Sequence, residues 1–244
     1  MTFSPAWAGF AGVFGGRVIA ELGAAAVADP RLGEMSLVSL VAQFSAAIDV
    51  GRGDVEVEVT HVGRASASVS VRLVQERLRA SAEAKLVRSG DPSVQQPWVV
   101  NDRPEPDEIA EFEPPYGEMA YADLVRIRVI DHKVRDGLPS TRCWVSFDEA
   151  AAAVGELDPA GRAAALLDVV PPGPFFTEPR PSFVPTIDFA LNLAPSPPVS
   201  ADGWYYTEAT TLWRNSGYCA ESTTPWTSSG EFVARGTQNR RIVG

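Results

Sequence analysis

Cysteine and histidine are nearly absent: the 244 residues hold two of each, Cys143, Cys219, His61 and His132. Two cysteines cannot build a disulfide scaffold, and they suit a reducing compartment, so a cytoplasmic chain is expected. The four residues are too scattered for a zinc-binding spacing, and neither a metal nor another cofactor is expected. Positive charge is short as well: 21 Lys and Arg stand against 31 Asp and Glu, a formal charge of -10. That sign argues against a nucleic acid as the partner, while leaving room for a small anion in a local basic pocket. No basic segment precedes an apolar one at the start of the chain, so no signal peptide is expected. A long hydrophobic run is missing too. The stretch from Ala6 to Ala28 is broken by Arg17 and Glu21 and holds four glycines ahead of Arg17. It is a poor membrane span and a good buried helix. There is no Gly-x-Ser-x-Gly, which argues against a serine-nucleophile hydrolase. Gly9, Gly12, Gly15 and Gly16 are followed by no Gly-Lys-Ser/Thr, so they form no phosphate loop; close helix packing is the simplest reading.

What is present is an ordinary globular composition, 45% hydrophobic and 21% charged. "GRVIAELGAAAVA", 16–28, puts Val18, Ile19, Leu22, Ala25 and Ala26 on one helical stripe. "MSLVSLVAQFSAAI" is apolar on both faces, as a central strand would be. "DVEVEV" alternates Val55, Val57 and Val59 with Glu56 and Glu58, and after a turn at Gly63-Arg64 "ASASVSVRL" keeps Ala65, Ala67, Val69, Val71 and Leu73 in phase. A further strand is expected at about 79–87. Residues 89–118 are rich in proline and acid and carry no clean period. The scheme then repeats. "DLVRIRVI" and "TRCWVSF" read as strands, and "LDPAGRAAALLDVV" as a helix with Asp158 at the N-cap and Pro159 in the first position. Six prolines between 171 and 185 keep the chain extended before "PTIDFALNL", 185–193, where Ile187, Phe189, Leu191 and Leu193 alternate with Thr186, Asp188, Ala190 and Asn192. Asp is a poor strand former, so a carboxylate set there asks for a reason. Strands are also expected at 204–213, 217–226 and 232–243.

One helix plus long antiparallel strands, twice over, is a duplicated α+β architecture. The expected layout is 1–90 and 121–244 as two units with 91–120 as linker. The motifs near the end are more specific. "TIDFALNL", "GWYYTEATTLWRNSGYCAES" and "GEFVARGTQNRRIV" resemble the C-terminal half of the acyl-CoA thioesterase II family, and "FGGRVIAELGAAA" and "GRAS" resemble its first half more loosely. "SLVSLVAQFSAAIDVG" departs from the family, which commonly has histidines and a basic loop there. The resemblance implies a tandem (double) hotdog, two antiparallel sheets each wrapping a central helix. It implies hydrolysis of an acyl-CoA to the free acid and coenzyme A, a place in lipid metabolism, and homo-oligomers. It also implies that Asp188, Thr210 and Gln238 together hold the attacking water. Such a set makes chemical sense: a carboxylate can accept the water's proton, while a hydroxyl and an amide fix its position. Thr211, beside Thr210, points to the opposite face, so a slip of one residue exchanges them. Gly15 and Gly16 open the first helix to close approach by substrate, where backbone amides can meet a developing oxyanion.

Blander readings stand beside these. Thr210 fits a strand for its β-propensity alone, and Gln238 by itself means nothing. His61 and His132 read as solvated. Trp204, Tyr205, Tyr206, Trp213, Tyr218 and Trp226 read as sheet packing or, in part, as the wall of an acyl tunnel. Two other functions share the fold: a non-catalytic acyl-thioester binding protein, and an acyl-thioester hydratase or dehydratase, which usually needs a helix histidine that this chain lacks.

Overall fold

The computed structural model describes residues 1–88, 103–113 and 119–244. Most of the expected linker, 91–120, lies outside the described residues. Strands β1 (Thr2–Phe3) and β3 (Gly51–Arg52) form a short separate pair. The long strands are β2 (Met35–Phe44), β4 (Asp54–Val62), β5 (Ser66–Gln75), β6 (Arg77–Arg88), β7 (Val125–Arg135), β8 (Leu138–Phe147), β9 (Thr186–Leu193), β10 (Trp204–Asn215), β11 (Tyr218–Thr227) and β12 (Ala234–Arg241). Helix α1 spans Gly15–Val27, α2 is the single turn Ala152–Gly155, and α3 spans Pro159–Leu166.

The ten long strands make one antiparallel sheet, in the order β4-β5-β6-β2-β9-β12-β11-β10-β8-β7. This corrects the expectation of two separate sheets. The first strand after each helix has an open edge, and the two edges pair with each other, Ser39 to Gln43 against Asn192 to Asp188. An unpaired edge would leave a row of N–H and C=O groups without partners, and the seam removes two such edges at once. The duplication is visible in the topology. Counted outward from the seam, the long strands that follow each helix come first, fourth, third, second in both halves: β2, β6, β5, β4 and β9, β12, β11, β10.

Both longer helices lie on the same side of the sheet and against each other. Val18, Ile19, Leu22 and Ala26 of α1 are buried over Ala67, Val69, Val71 and Leu73 of β5 and the alanines of β6. Asp158 caps α3, accepting from Gly161 N at 2.6 Å, with Pro159 in the first turn; such caps contribute about 1 kcal/mol. The helices approach closely because Gly16 has no side chain: a Cβ there would stand 2.9 Å from Ala165 Cα. On the opposite face, Trp144, Tyr206 and Trp226 pack together. The segment after residue 103 lies on them, with Arg103 over Trp144 and the Trp144 indole donating to Pro104 O at 2.9 Å. Among the described residues no helix is long and apolar enough to cross a membrane.

Candidate active site

The close helix contact has a chemical consequence one turn further along α3. It brings Asp168, just past the helix end, to the N-terminus of α1, where its Oδ2 accepts from Gly16 N at 2.9 Å. An N-terminus favours a negative group through its unpaired amides and its dipole. The N-cap residue itself, Phe14, offers no side-chain acceptor. The other carboxylate oxygen, Oδ1, accepts from Arg240 Nη2 at 3.0 Å, and both side chains are over 90% buried.

Arg240 is the hub of a buried polar network. Its Nη1 donates to Thr186 Oγ1 at 2.9 Å, and Thr186 donates to Gln238 Oε1 at 2.8 Å. The Gln238 amide donates in turn to Leu167 O at 3.2 Å. On its other side, Arg240 Nε stands 2.8 Å from Glu221 Oε2, an ion pair whose N–H points off the line of a good hydrogen bond. Glu221 Oε1 accepts from Gly173 N at 2.6 Å and from Thr211 Oγ1 at 3.2 Å. Gly173 must be glycine here, since a Cβ would fall 2.3 Å from Thr211 Oγ1. Burial works against the Arg240 charge, but Glu221 and Asp168 outweigh it and hold the guanidinium above its ordinary value. Cys219, beside it in β11, is pushed up to about 12, first by burial and then by Glu221, and stays an unreactive thiol.

Asp168 and Arg240 open onto a cavity of about 500 Å³, which also meets Gly15, Tyr121 and Thr186. Its walls are otherwise largely apolar and come from three loops: Gly9 to Phe14 before α1, Phe44 to Ile48 after β2, and the proline-rich run from Val169 to Pro185. Tyr121 stacks on Phe14 at 4.4 Å, and burial, then the Asp168 charge, raises its phenol far above the ordinary range, so it stays neutral. Gly15 leaves the space in front of Asp168 open: a Cβ there would sit 2.7 Å from Oδ2.

The residues expected from sequence are not brought together as a set. Gln238 lies inside, 3% exposed, but Asp188 stands on the opposite face of β9, where its carboxylate accepts from Asn239 Nδ2 at 2.9 and 3.0 Å. Thr210 is exposed and shares a hydrogen bond with Ser140 at 3.2 Å, while Thr211 faces inward at 2% exposure. Neither Thr211 nor Gln238 lines the cavity. Gly15 lines it, and Gly16 serves Asp168 through its amide. His132 is half-buried rather than solvated, with Nδ1 3.0 Å from Thr141 Oγ1 and its ring on Phe176. Of the Trp and Tyr cluster, Trp204, Tyr206 and Trp226 pack with Trp144 on the far face of the sheet, Tyr205 joins the main core, and Trp213 and Tyr218 are exposed; none lines this cavity.

Residues 3–88 match the family model for the acyl-CoA thioesterase N-terminal domain, and residues 96–241 the model for the acyl-CoA thioesterase C-terminal domain. The chain belongs to the acyl-CoA thioesterase family. Solved structures share its fold at low identity. A hot dog protein of unknown function from Alicyclobacillus acidocaldarius is 21% identical with a TM-score of 0.83, over 100% of this chain and 92% of that one. The acyl-CoA thioesterase II TesB2 of Mycobacterium marinum is 16% identical with a TM-score of 0.73, over 95% and 91%. The tesB protein of Mycobacterium avium subs paratuberculosis is also 16% identical, with a TM-score of 0.74, over 95% and 88%. No curated protein matches the sequence.

The inward Asp, Thr and Gln side chains of this network are Asp168, Thr186, Thr211 and Gln238, with Arg240 and Glu221 set among them, and of the two threonines Thr186 is the one that meets the cavity. A signal for the two charged residues lies in the strand phase. Arg240 alternates with Gln238 and Ala234 on the buried face of β12, and Glu221 with Cys219 and Thr223 on that of β11. A charge in an inward register needs a partner, and each is the other's.

Proposed function

We propose that the protein is a thioester hydrolase acting on an acyl-CoA, and that Asp168 is the base that activates water in the cavity at the start of α1. The observation that carries this reading is the Asp168 carboxylate itself, 8% exposed at its side chain, facing an otherwise largely apolar cavity of about 500 Å³ beside a helix N-terminus. A carboxylate has about four acceptor sites, and Gly16 and Arg240 occupy two, which leaves capacity for a water. The apolar walls suit an acyl chain, and exclusion of bulk water strengthens every charge in the site. Gly15 lets the thioester carbonyl approach the carboxylate closely.

A second reading is a non-catalytic acyl-thioester binding protein. It is favoured by one observation: neither the Gln238 amide nor the Thr211 hydroxyl lines the cavity, and both are spent on protein partners, Leu167 and Thr186 for Gln238 and Glu221 for Thr211. Thiol release from a series running from butyryl- to palmitoyl-CoA separates the two. Turnover by the parent protein that collapses in Asp168→Asn and survives in Asp188→Asn supports hydrolysis at Asp168. Binding of the acyl-CoA with no thiol released at any chain length replaces it with the binding protein.

A further inference from the structure

A base at Asp168 does not by itself account for Arg240. A buried guanidinium paired to two carboxylates is costly to build and is no more stable than a well-packed apolar trio, so stability alone is a weak reason for it. It also lines the cavity beside Asp168. Of its five N–H groups, one goes to Asp168 and one to Thr186, and one stands against Glu221. Two remain.

We propose that Arg240 is a catalytic residue of the thioester hydrolysis, supplying the positive charge that meets the oxyanion, and that Glu221 holds it in place. The proposal rests on Asp168 being the base. The charge count shows why the trio suits the reaction. Before the reaction, Asp168 and Glu221 are negative and Arg240 positive, a net charge of about minus one. As the water oxygen bonds to the carbonyl carbon, the C=O π pair moves to the carbonyl oxygen and the water's proton to Asp168. Asp168 becomes neutral and its hold on Arg240 loosens at the moment a new anion forms beside it. The net charge of the buried cluster does not change, so no charge has to enter from solvent. The tetrahedral adduct then re-forms C=O and breaks the C–S bond, and Asp168 returns its proton to the departing sulfur. Coenzyme A leaves as the thiol and the acid remains.

Glu221 is what lets Arg240 stay when Asp168 is protonated. It sits across the guanidinium from Asp168 and is anchored by Gly173 N and Thr211 Oγ1. Tyr121 in the cavity and Cys219 behind the pair are both kept protonated by burial, and the other charged groups nearby are Arg241 at the cavity wall and Arg214 toward Cys219.

The single exchange Arg240→Gln would strand two buried carboxylates, so the decisive variant is the double exchange Arg240→Gln with Glu221→Gln. It keeps the cluster at the same net charge and removes the cation. Two probes separate an oxyanion role from a packing role: a trifluoromethyl ketone analogue of the acyl-CoA, whose oxygen takes on the oxyanion's charge, and a thioether analogue, which mimics the bound substrate only. The expected result is a fall in kcat of about 10²–10³-fold, the usual effect of losing one oxyanion donor. Affinity for the ketone should fall in parallel, and affinity for the thioether by less than about threefold. Arg240→Lys, which keeps a cation but not the fork, should lie between the two on both kcat and ketone affinity. Equal losses of ketone and thioether affinity in the folded double variant would overturn the proposal, as would parental turnover by that variant. In either case a collapse in Asp168→Asn would leave the hydrolase reading standing. A parent that releases no thiol from any acyl-CoA sinks both.

Discussion

The two helices end in near-copies of one sequence, Ala-Ala-Ala-Val-Ala-Asp at 24–29 and Ala-Ala-Ala-Leu-Leu-Asp at 163–168, with the aspartate just after the C-cap residue each time. Their fates differ. Asp29 turns to its neighbour. It caps the short turn Pro30–Leu32 and accepts from Arg31 N at 2.8 Å, Nε at 2.9 Å and Nη2 at 2.7 Å. Those bonds, led by the side-chain pair, hold its carboxyl down at about 2, at the surface. Asp168 reaches across the molecule to Gly16 and Arg240 and is buried. The length of chain beyond each helix accounts for the contrast. After Asp29 the chain enters β2 at Met35, whereas after Asp168 it runs to Thr186 before β9, and that longer, proline-rich path covers the aspartate and walls the cavity. The same local code thus makes a surface cap in one half and a candidate base in the other.

Exchange of the two aspartates breaks this comparison most sharply. Asp168→Asn should lower acyl-CoA turnover by about 10²–10⁴-fold, the usual worth of a general base, and Asp29→Asn should leave it unchanged; thiol release measures both. The partner arginines come next. Arg240→Ala leaves two buried carboxylates unpaired and should cost about 3–5 kcal/mol by chemical denaturation, while Arg31→Ala, at the surface, should move the unfolding midpoint only slightly. Gly173→Ala probes the loop that only the second half possesses. Its methyl meets Thr211 Oγ1 and Pro139, so a loss of about 1–3 kcal/mol is expected, together with reduced turnover as Glu221 shifts. The smallest effect is the acid response of Asp29. Its carboxyl is lowered from 3.8 to about 2 in the folded chain, so its contribution is present above 3.8 and fades as pH falls toward 2. Stability of Asp29→Asn should therefore match the parent's at neutral pH apart from a small, salt-screened offset, and converge with it in strong acid.

Gln238 was legible in the sequence as an interior residue, and Thr211 as the exchange for Thr210, but Asp168 and Thr186 were not. Alternation in "TIDFALNL" carries the signal of a strand, and it sets Asp188 opposite the apolar residues, hence on the outer face. The family resemblance, by contrast, implies an inward Asp188. Thr186 is out of step with it because of a bulge: β12 pairs Asn239 with Asp188 and Arg240 with Thr186, skipping Ile187, which turns Thr186 inward to Gln238 and Arg240. Such a one-residue irregularity exchanges the faces of everything beyond it. The Thr210 and Thr211 pair is ambiguous for another reason. Tyr205 and Tyr206 are both buried, one on each face, because the segment after residue 103 covers the outer aromatics, so burial along β10 does not mark which face is inside. Arg240 and Glu221 were in phase with buried neighbours, but two charges distant in sequence reveal themselves as a pair only once β11 and β12 are aligned side by side.

By itself the sequence determined the two longer helices, the Asp158 cap of α3, most of the long strands and the duplicated order of elements, since these come from periodicity and from neighbours a few residues away. The missing side chain at Gly16, which lets α1 and α3 touch, was also written there. Only the tertiary structure decided that two sheets become one at the β2–β9 seam, and that Asp168 rather than Asp29 or Asp188 faces a cavity. The physical reason is range: a strand edge or a buried carboxylate must be satisfied by whatever partner the fold brings to it, and here those partners lie far away in sequence, Gly16 on one side of Asp168 and Arg240 on the other.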